Sequence, residues 1–203
     1  RETLSLLQIP AHKLIANTDY PYITARQLLV PHLASRITPD SCRFLRQQFL
    51  PHGIAAAIGP NPPARLYITR RAAATRKIIN EAALIAYLET LGFCTVELES
   101  MPFQEQVALM SQATAVVAVH GSGLTNIVFC KPGTCVVELL SRNYLTPYYS
   151  FISKQVGLRY FCLLGENPEQ REPGDYTDLG YMWEDIVIDL PALAKLLTFA
   201  ELA

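Results

Sequence analysis

The residues best suited to chemistry form one short segment, His120-Gly121-Ser122-Gly123-Leu124-Thr125-Asn126, which directly follows the apolar run 115–119. An uninterrupted apolar and β-branched run predicts a strand that is buried on both faces of a parallel sheet. The two glycines allow a tight turn and a close approach of a ligand to backbone N–H groups. A strand, a glycine turn and a helix N-terminus in this order favour the binding of phosphate groups.

Each polar side chain of this turn has a functional and a structural interpretation. His120 suits a general base, or a hydrogen-bond partner of a phosphate or sugar hydroxyl. The alternative is a histidine that bonds to the backbone and shapes the turn. Ser122, Thr125 and Asn126 would contact a ligand through hydroxyl and amide groups, whereas Ser122 and Thr125 would alternatively cap the following helix.

Charged side chains follow two other predicted strands. Arg70-Arg71 and then Arg76-Lys77 place four cations at the end of the strand-like segment 66–70. Arginine binds phosphate oxygens bidentately, and a solvated basic loop is the alternative. Glu138 ends the run Val136-Val137-Glu138, where a carboxylate would accept hydrogen bonds from ribose hydroxyls. Since parallel strands share their carboxyl edge, these side chains and His120 are expected to converge.

A carboxylate pair that would hold a divalent metal on a diphosphate is not evident, because the chain has no Asp-x-Asp sequence. Glu97-Leu98-Glu99 is expected to lie in a strand with its carboxylates facing solvent. Cationic side chains and a helix N-terminus would therefore stabilise a leaving phosphate without a metal. We interpret Glu105 and Gln106, on a predicted helix, as structural support.

The composition limits the partners of this 203-residue chain, of which half the residues are hydrophobic. A formal net charge of −1 gives no general attraction to nucleic acid or to anionic membranes. No apolar run approaches the roughly 18 to 20 residues that span a bilayer, and no signal-peptide pattern is present. The five scattered cysteines predict free thiols in the cytoplasm and no structural zinc site. Because the chain begins at Arg1, we expect a fragment of a longer protein.

Strand-like and helix-like segments alternate from residue 65 onward. Strands are predicted over 66–70, 93–98, 115–119, 134–140, 158–164 and 186–188, and helices over 80–91, 102–112, 124–129, 144–156 and 189–199, with Asn80 as an N-cap. This alternation predicts a Rossmann-like α/β fold, a parallel sheet with helices on both faces. Its ligand crevice would lie beyond the carboxyl ends of the strands.

The remaining segments set the predicted domain boundary. They are a strand over 27–30, a helix over 39–49, a linker rich in proline and alanine over 51–63, and a surface loop over 166–181. We assign residues 1–60 to the remnant of another domain and its linker. Residues 61–203 are assigned to the Rossmann-like domain.

Several short motifs follow one another in order at residues 66–71, 80–81, 103–106, 120–126, 129–133 and 137–139. This ordered set resembles glycosyltransferase family 61, also described as capsular polysaccharide biosynthesis proteins. The resemblance runs from about residue 26 to residue 140, with Ser122 where alanine is common in the family. It implies a GT-B-type glycosyltransferase, of which this chain holds mainly the C-terminal half that binds the nucleotide sugar. Residues 1–60 would then belong to the acceptor side.

The resemblance also implies an activity: inverting transfer of a sugar from a nucleotide-sugar donor to a glycan or polysaccharide acceptor, with a nucleoside diphosphate as leaving group. It implies that Arg70 and Arg71 face the diphosphate and that residues 120–126 form the donor loop. His120 is our candidate for the catalytic base, and the alternative that the resemblance implies is a base on the N-terminal domain, where GT-B enzymes often carry it. No cofactor is expected, since the nucleotide sugar is a substrate. We expect a cytoplasmic location, with peripheral attachment to a membrane where polysaccharide is assembled as an alternative.

Parts of the sequence also suggest two other functions. A non-catalytic module that binds nucleotide sugars is the main alternative, although a fold alone does not require Arg70, Arg71, His120 and Asn126 together. An α/β-hydrolase is suggested by His-Gly-Ser-Gly, which resembles an oxyanion-hole loop. That fold needs a Gly-x-Ser-x-Gly nucleophile elbow, which is absent from this chain.

Overall fold

Strands and helices alternate through most of the computed structural model, which describes residues 2–16, 18–20, 22–29, 37–55, 59, 61–167 and 183–203. The strands are β1 (Arg65–Ile68), β2 (Cys94–Val96), β3 (Ala115–Val119), β4 (Cys135–Ser141) and β5 (Arg159–Gly165). The α-helices are α1 (Glu2–Leu6), α2 (Pro39–Ala55), α3 (Glu81–Thr90), α4 (Phe103–Gln112), α5 (Tyr148–Val156) and α6 (Leu190–Phe199). Short 3-10 helices span Ala11–Lys13, Leu98–Ser100 and Ser122–Phe129.

The five strands form one sheet in the order β2-β1-β3-β4-β5, and every neighbouring pair is parallel. This confirms the predicted Rossmann-like α/β fold. The chain proceeds outward from β1 to β2 on one side and from β3 to β5 on the other. The strand order therefore reverses between β1 and β3, and ligands of such sheets bind outside the carboxyl ends at this reversal.

Helices cover both faces of the sheet, as predicted. Alternate residues of a strand point to opposite faces. Val116 and Ala118 join one hydrophobic cluster, which also contains residues of α2, α4, α5 and the 3-10 helix 122–129. Val117 and Val119 join a second cluster with residues of α3 and α6. We call these the first and second faces of the sheet.

Helix α2 packs on the first face, although it lies within the predicted N-terminal remnant. The Phe49 ring contacts those of Phe103 and Phe129 edge-on, with centroids 5.1 and 6.5 Å away. Arg46 donates hydrogen bonds to the carbonyl oxygens of Val128 and Cys130 at 2.6 and 2.7 Å. The domain boundary at residue 60 stays a prediction, but packing is continuous between α2 and the sheet.

Three sequence predictions near the ends of elements are wrong. The predicted linker begins too early, because α2 continues through Pro51 to Ala55. The predicted strand 27–30 is absent over residues 27–29, where Leu28 and Leu29 are exposed and no neighbouring strand pairs with them, and residue 30 lies outside the described residues. The helix predicted from residue 144 begins at Tyr148, since the residue before Pro147 is biased away from helical conformation.

Three further details differ from the sequence predictions. Residues 186–188 form two isolated bridges, from Ile186 to Ile78 and from Val187 to Glu166, instead of a strand. Asn80 precedes α3 but does not cap it, because its side-chain amide bonds to the backbone N–H and C=O of Ile188. Most of the predicted loop 166–181 lies outside the described residues. Glu99 is exposed in a 3-10 helix and not in a strand.

The state of the cysteines and the absence of a membrane-spanning run were also predicted from the sequence. All five cysteines are free thiols, as predicted. No helix in the described ranges has the length and apolar character needed to cross a bilayer.

Candidate functional site

The candidate site lies at the carboxyl edge of the sheet, where the strand order reverses. Arg70 follows β1 and His120 follows β3, and these strands are neighbours, with Ile68 opposite Ala118. Because side chains alternate along a strand, Arg70 and His120 both extend the series that faces the first face. The structure therefore brings together two of the residues that the sequence singled out.

The glycine turn leads directly into the 3-10 helix 122–129, two residues earlier than the predicted helix. Gly121 has extended backbone with φ of 174°, and its carbonyl oxygen accepts a hydrogen bond from the Leu124 N–H at 2.9 Å. Ser122 and Thr125 are exposed on this helix, while Gly123 is half-buried. The ligand contacts expected of these three residues stay predictions.

Arg70 lies against Gly121. A Cβ atom on Gly121 would be 2.2 Å from Nη1 of Arg70, so a larger residue there would displace the guanidinium. The Arg70 side chain is half-buried, and its Nε has no hydrogen-bond partner among the described residues. Burial lowers the pKa of Arg70, and the nearby charge of Arg76 adds to this effect. An anion at this position would offset both costs.

Arg71 is separated from this site. Its side chain is 71% exposed, and its Nε lies 3.8 Å from Oε2 of Glu81. The other oxygen of Glu81 accepts hydrogen bonds from the hydroxyls of Tyr67 at 2.8 Å and Thr69 at 2.6 Å. Tyr67 belongs to the second face. The predicted contact of Arg71 with a diphosphate stays a prediction, and this geometry favours Arg70 for it.

His120 is held by a buried carboxylate. Glu138 has no exposed surface, and one of its oxygens bonds to Nδ1 of His120. Its other oxygen accepts a hydrogen bond from the Tyr160 hydroxyl at 2.5 Å. The expected ribose contact of Glu138 is not supported by this position, since the carboxylate lies behind His120 and does not reach the crevice surface. Glu138 is instead placed to orient the imidazole.

Aromatic side chains enclose the other side of His120. The rings of Tyr144 and Tyr149 lie 5.2 and 5.0 Å from the imidazole, and Nε2 lies 3.2 Å from the Thr146 hydroxyl. The Tyr149 hydroxyl donates to the carbonyl oxygen of Gly121 at 2.5 Å. Burial raises the pKa of Tyr149, and a hydrogen bond from Thr125 acts in the opposite direction.

Sequence reasoning missed these partners of His120. Tyr144 and Thr146 lie in the stretch that was predicted to be helical, and Tyr160 lies in a predicted strand without any motif around it. The one usable signal was the alternation of side chains along a strand. Val136 lies opposite Tyr160, and Glu138, two residues after Val136, points to the same face of the sheet as both.

Asn126 fixes the 3-10 helix to its neighbour α4. Its amide donates to Oε1 of Gln106 at 3.0 Å. Gln106 in turn donates to the carbonyl oxygens of Leu98 and Met101 at 2.8 and 2.9 Å. The structural interpretation of Gln106 is confirmed, and ligand binding by Asn126 stays a prediction.

Two further features of the site bear on ligand binding. Within the described ranges, no group of three or more His, Cys, Asp and Glu side chains is arranged to hold a metal ion. A cavity of about 300 Å³ lies beside the turn, between α2, α5 and the 3-10 helix, and is lined by Ile37, Cys42, Leu45, Thr125, Tyr149 and other residues. Its walls are mostly apolar, so it suits a ring or an aliphatic group next to the Arg70 site.

The chain was compared with known proteins. Residues 2–137 match the model of the family described as Glycosyltransferase 61. A beta-1,2-xylosyltransferase of Oryza sativa subsp. japonica is 35% identical over 95 residues, which is 47% of this chain and 16% of the relative. An alpha-1,3-arabinosyltransferase of the same plant is 29% identical over 161 residues, 73% of this chain and 27% of the relative.

A third relative comes from an animal. The protein O-linked-mannose beta-1,4-N-acetylglucosaminyltransferase 2 of Xenopus laevis is 33% identical over 110 residues, covering 51% of this chain and 19% of the relative. The chain thus spans only a minor part of the length of the relatives that it matches.

Proposed function

Because the chain belongs to the glycosyltransferase 61 family, we propose that it forms the donor-binding part of a glycosyltransferase. The reaction is the inverting transfer of a sugar from a nucleotide sugar to a glycan or polysaccharide acceptor. The leaving group is a nucleoside diphosphate, and neither a metal ion nor a further cofactor is needed. One observation carries this proposal: the half-buried Arg70 beside the glycine turn.

Arg70 supports diphosphate binding through its charge and its surroundings. Its guanidinium forms no ion pair with a carboxylate of the described residues, and its Nε has no partner there. A buried charge without a partner is costly, whereas an arginine and a phosphate form bidentate, charge-assisted hydrogen bonds. The 3-10 helix 122–129 begins directly after Gly121, and a helix N-terminus favours the binding of an anion.

Inverting transfer also needs a base that removes the proton of the acceptor hydroxyl. In our proposal His120 accepts this proton on Nε2, while Glu138 holds Nδ1 and stabilises the imidazolium. The acceptor oxygen forms the new bond to the anomeric carbon. The bond from that carbon to the diphosphate breaks, and the diphosphate leaves with its electron pair toward Arg70.

The names of the relatives suggest the class of sugar. They specify transfer of xylose, arabinose and N-acetylglucosamine, all uncharged sugars. We propose that this chain likewise takes an uncharged sugar, for which the site needs no cation beyond those facing the diphosphate. An acceptor in capsular polysaccharide and a cytoplasmic location stay predictions.

The main alternative is a nucleotide-sugar-binding module without catalysis. It is favoured by the engagement of both ring nitrogens of His120 within the chain and by the 6% exposure of its side chain. Catalysis by His120 requires the acceptor hydroxyl to displace that of Thr146 from Nε2. Binding of the donor without turnover in the full-length protein would favour the module.

The experiment that tests diphosphate binding is a calorimetric titration of the full-length protein with UDP and GDP in EDTA. Arg70→Ala should weaken binding of the preferred nucleotide about 10- to 100-fold, since hydrogen bonds to charged groups contribute about 1.5–3 kcal/mol. Gly121→Ala should have a similar effect, because its Cβ displaces the guanidinium.

Gly123→Ala provides a comparison within the same turn. A Cβ at Gly123 would lie 3.4 Å from Cγ2 of Ile68, which is ordinary contact, so its effect should be clearly smaller. Unchanged nucleotide affinity in a folded Arg70→Ala variant would show that Arg70 does not bind phosphate. Equal losses of nucleotide affinity in Gly121→Ala and Gly123→Ala would show that Gly121 has no special relation to Arg70.

A further inference from the structure

Arg76 occupies an unusual position in the loop between β1 and α3, at the same edge of the sheet as Arg70. Its guanidinium carbon lies 5.4 Å from the ring centroid of Trp183 and 5.9 Å from that of Tyr144. The backbone N–H of Arg76 donates to the carbonyl oxygen of Trp183 at 3.2 Å. Its φ of 57° lies in the left-handed region, which residues with side chains adopt only where their surroundings hold them. The loop therefore holds this one side chain at a fixed place.

The two ring contacts attract the positive charge of Arg76 but offer no hydrogen-bond acceptor to its N–H groups. These N–H groups lie along the edge of the planar guanidinium. The Nε of Arg76 is buried and has no hydrogen-bond partner in the described part of the chain. No carboxylate of those residues forms an ion pair with it. A ligand that accepts several hydrogen bonds and carries negative charge fits this edge.

Arg76 also shares its surroundings with Arg70. The charge of Arg76 contributes to the lowered pKa of Arg70, and both charges act on the Tyr149 hydroxyl, which bonds to Gly121. Tyr144 connects Arg76 to the imidazole of His120, 5.2 Å away. Two guanidinium groups held close to each other repel, and an anion that contacts both would offset that repulsion.

We propose that Arg76 is the second phosphate-binding arginine of the site and that it holds a nucleoside diphosphate together with Arg70. This inference rests on the proposed function and deepens it. Two guanidinium groups supply two positive charges to the diphosphate, the charge that a divalent metal supplies elsewhere. The two arginines that bind are thus separated by five residues, and the adjacent Arg71 is held at Glu81.

The test compares UDP with UMP, because only the diphosphate can contact both arginines at once. Affinities are measured by calorimetry in EDTA on the full-length protein. Arg76→Met keeps an unbranched side chain between the rings of Tyr144 and Trp183 but removes the charge. It should weaken UDP binding at least about tenfold and UMP binding less than about threefold, which lowers the preference for UDP.

Lys77→Ala is the matched control. Lys77 is exposed, follows Arg76 directly and carries the same charge. Its backbone N–H donates to Asp185 at 2.7 Å and its carbonyl oxygen accepts from the Ile186 N–H at 2.9 Å, and both bonds are kept in the alanine variant. This variant should bind both nucleotides within about threefold of the wild type, because exposed charges are screened by solvent and salt. A loss of UDP affinity equal to that of Arg76→Met would overturn the inference in favour of a general effect of positive charge.

Other outcomes separate this inference from the proposed function. An unchanged ratio of UDP to UMP affinity in folded Arg76→Met overturns the inference, while loss of UDP binding in Arg70→Ala still supports the proposed function. If the protein prefers GDP, then GDP and GMP replace UDP and UMP, and a wild-type protein that binds none of these four nucleotides contradicts both. If Arg76→Met unfolds, Arg76→Lys replaces it: the charge is kept but the planar fork is lost, so the preference for UDP should still fall severalfold.

Discussion

Two glutamates with similar local partners lie on opposite faces of the sheet and serve different purposes. Glu138 on the first face accepts a hydrogen bond from Tyr160, and Glu81 beside the second face accepts one from Tyr67. The remaining partner of Glu138 is the imidazole of His120.

Glu81 differs in its remaining partners. They are the hydroxyl of Thr69 and, at 3.8 Å, the exposed Arg71, neither of which is a candidate for the general base. Glu81 is the first residue of α3, and its hydrogen bonds connect this helix to the end of β1. It therefore helps to position the loop that carries Arg70 and Arg76. A buried carboxylate alone thus does not identify a catalytic site, because the chemistry depends on the side chain that the carboxylate orients.

The largest difference between the two glutamates is expected in stability. Glu138→Ala leaves Nδ1 of His120 and the hydroxyl of Tyr160 without their carboxylate partner at a position with no exposed surface, which should cost about 3–5 kcal/mol. Glu81→Ala should cost about 1–3 kcal/mol, because its side chain is 15% exposed and water can replace it. Urea unfolding followed by circular dichroism measures both. An equal loss of unfolding free energy in the two variants would show that the difference in burial between the two glutamates does not affect stability.

The next difference is expected in turnover. Glu138→Gln keeps the shape of the side chain but removes the charge that stabilises the His120 imidazolium, so turnover should fall about 100-fold, as it should for His120→Ala. Glu81→Gln should retain turnover within about threefold, because Glu81 does not contact His120. The measurement is release of the nucleoside diphosphate, with nucleotide affinity determined in parallel.

The affinity measurement decides how that loss is interpreted. Nucleotide affinity within about threefold of the wild type in Glu138→Gln and His120→Ala assigns the loss to chemistry. An equal fall of affinity and turnover would assign His120 to binding and favour the non-catalytic alternative.

The smallest expected effect is on stability at high pH, and it is common to the two tyrosines that donate to these glutamates. Burial, and then the hydrogen bond to the neighbouring glutamate, raise the pKa of Tyr160 and of Tyr67 above the ordinary value. Unfolded tyrosine releases its proton near pH 10 while the folded state keeps it, so stability is full below about pH 10 and falls as the pH rises. Each tyrosine contributes a slope of at most about 1.4 kcal/mol per pH unit.

Phenylalanine substitutions test this shared property. Tyr160→Phe and Tyr67→Phe should each remove the slope of one tyrosine from the free energy of unfolding between about pH 10 and 11. Urea unfolding at several pH values measures the slope. A reduced slope in only one of the two variants would show that the tyrosines differ in environment.

The sequence predicted the sheet well because buried parallel strands are apolar along their whole length. The run 115–119 is such a strand, and all five of its residues are buried. Glu138 is an exception inside such a run. The strand predicted over 134–140 contains it, and β4 continues to Ser141, so Glu138 lies inside the sheet, three residues before the strand's end.

The parts of the site that the sequence did not predict depend on distant partners or on the direction of neighbouring side chains. The sequence does not distinguish Arg70 from Arg71, since both are arginines at the end of a strand. Adjacent side chains point to opposite faces of the sheet, however, and only that of Arg70 faces the glycine turn. Thr146 and Tyr160 reach His120 and Glu138 across more than 20 residues. No local pattern marks such pairs.

The packing of α2 has a practical consequence for protein production. A shortened protein that starts at the predicted boundary, residue 61, would lack Phe49 and uncover the rings of Phe103 and Phe129. It would also lose Arg46, which binds two carbonyl oxygens at the end of the 3-10 helix 122–129. An apolar surface uncovered in this way favours self-association and poor solubility. A shortened version made for crystallisation should therefore retain all of α2 and begin no later than residue 37.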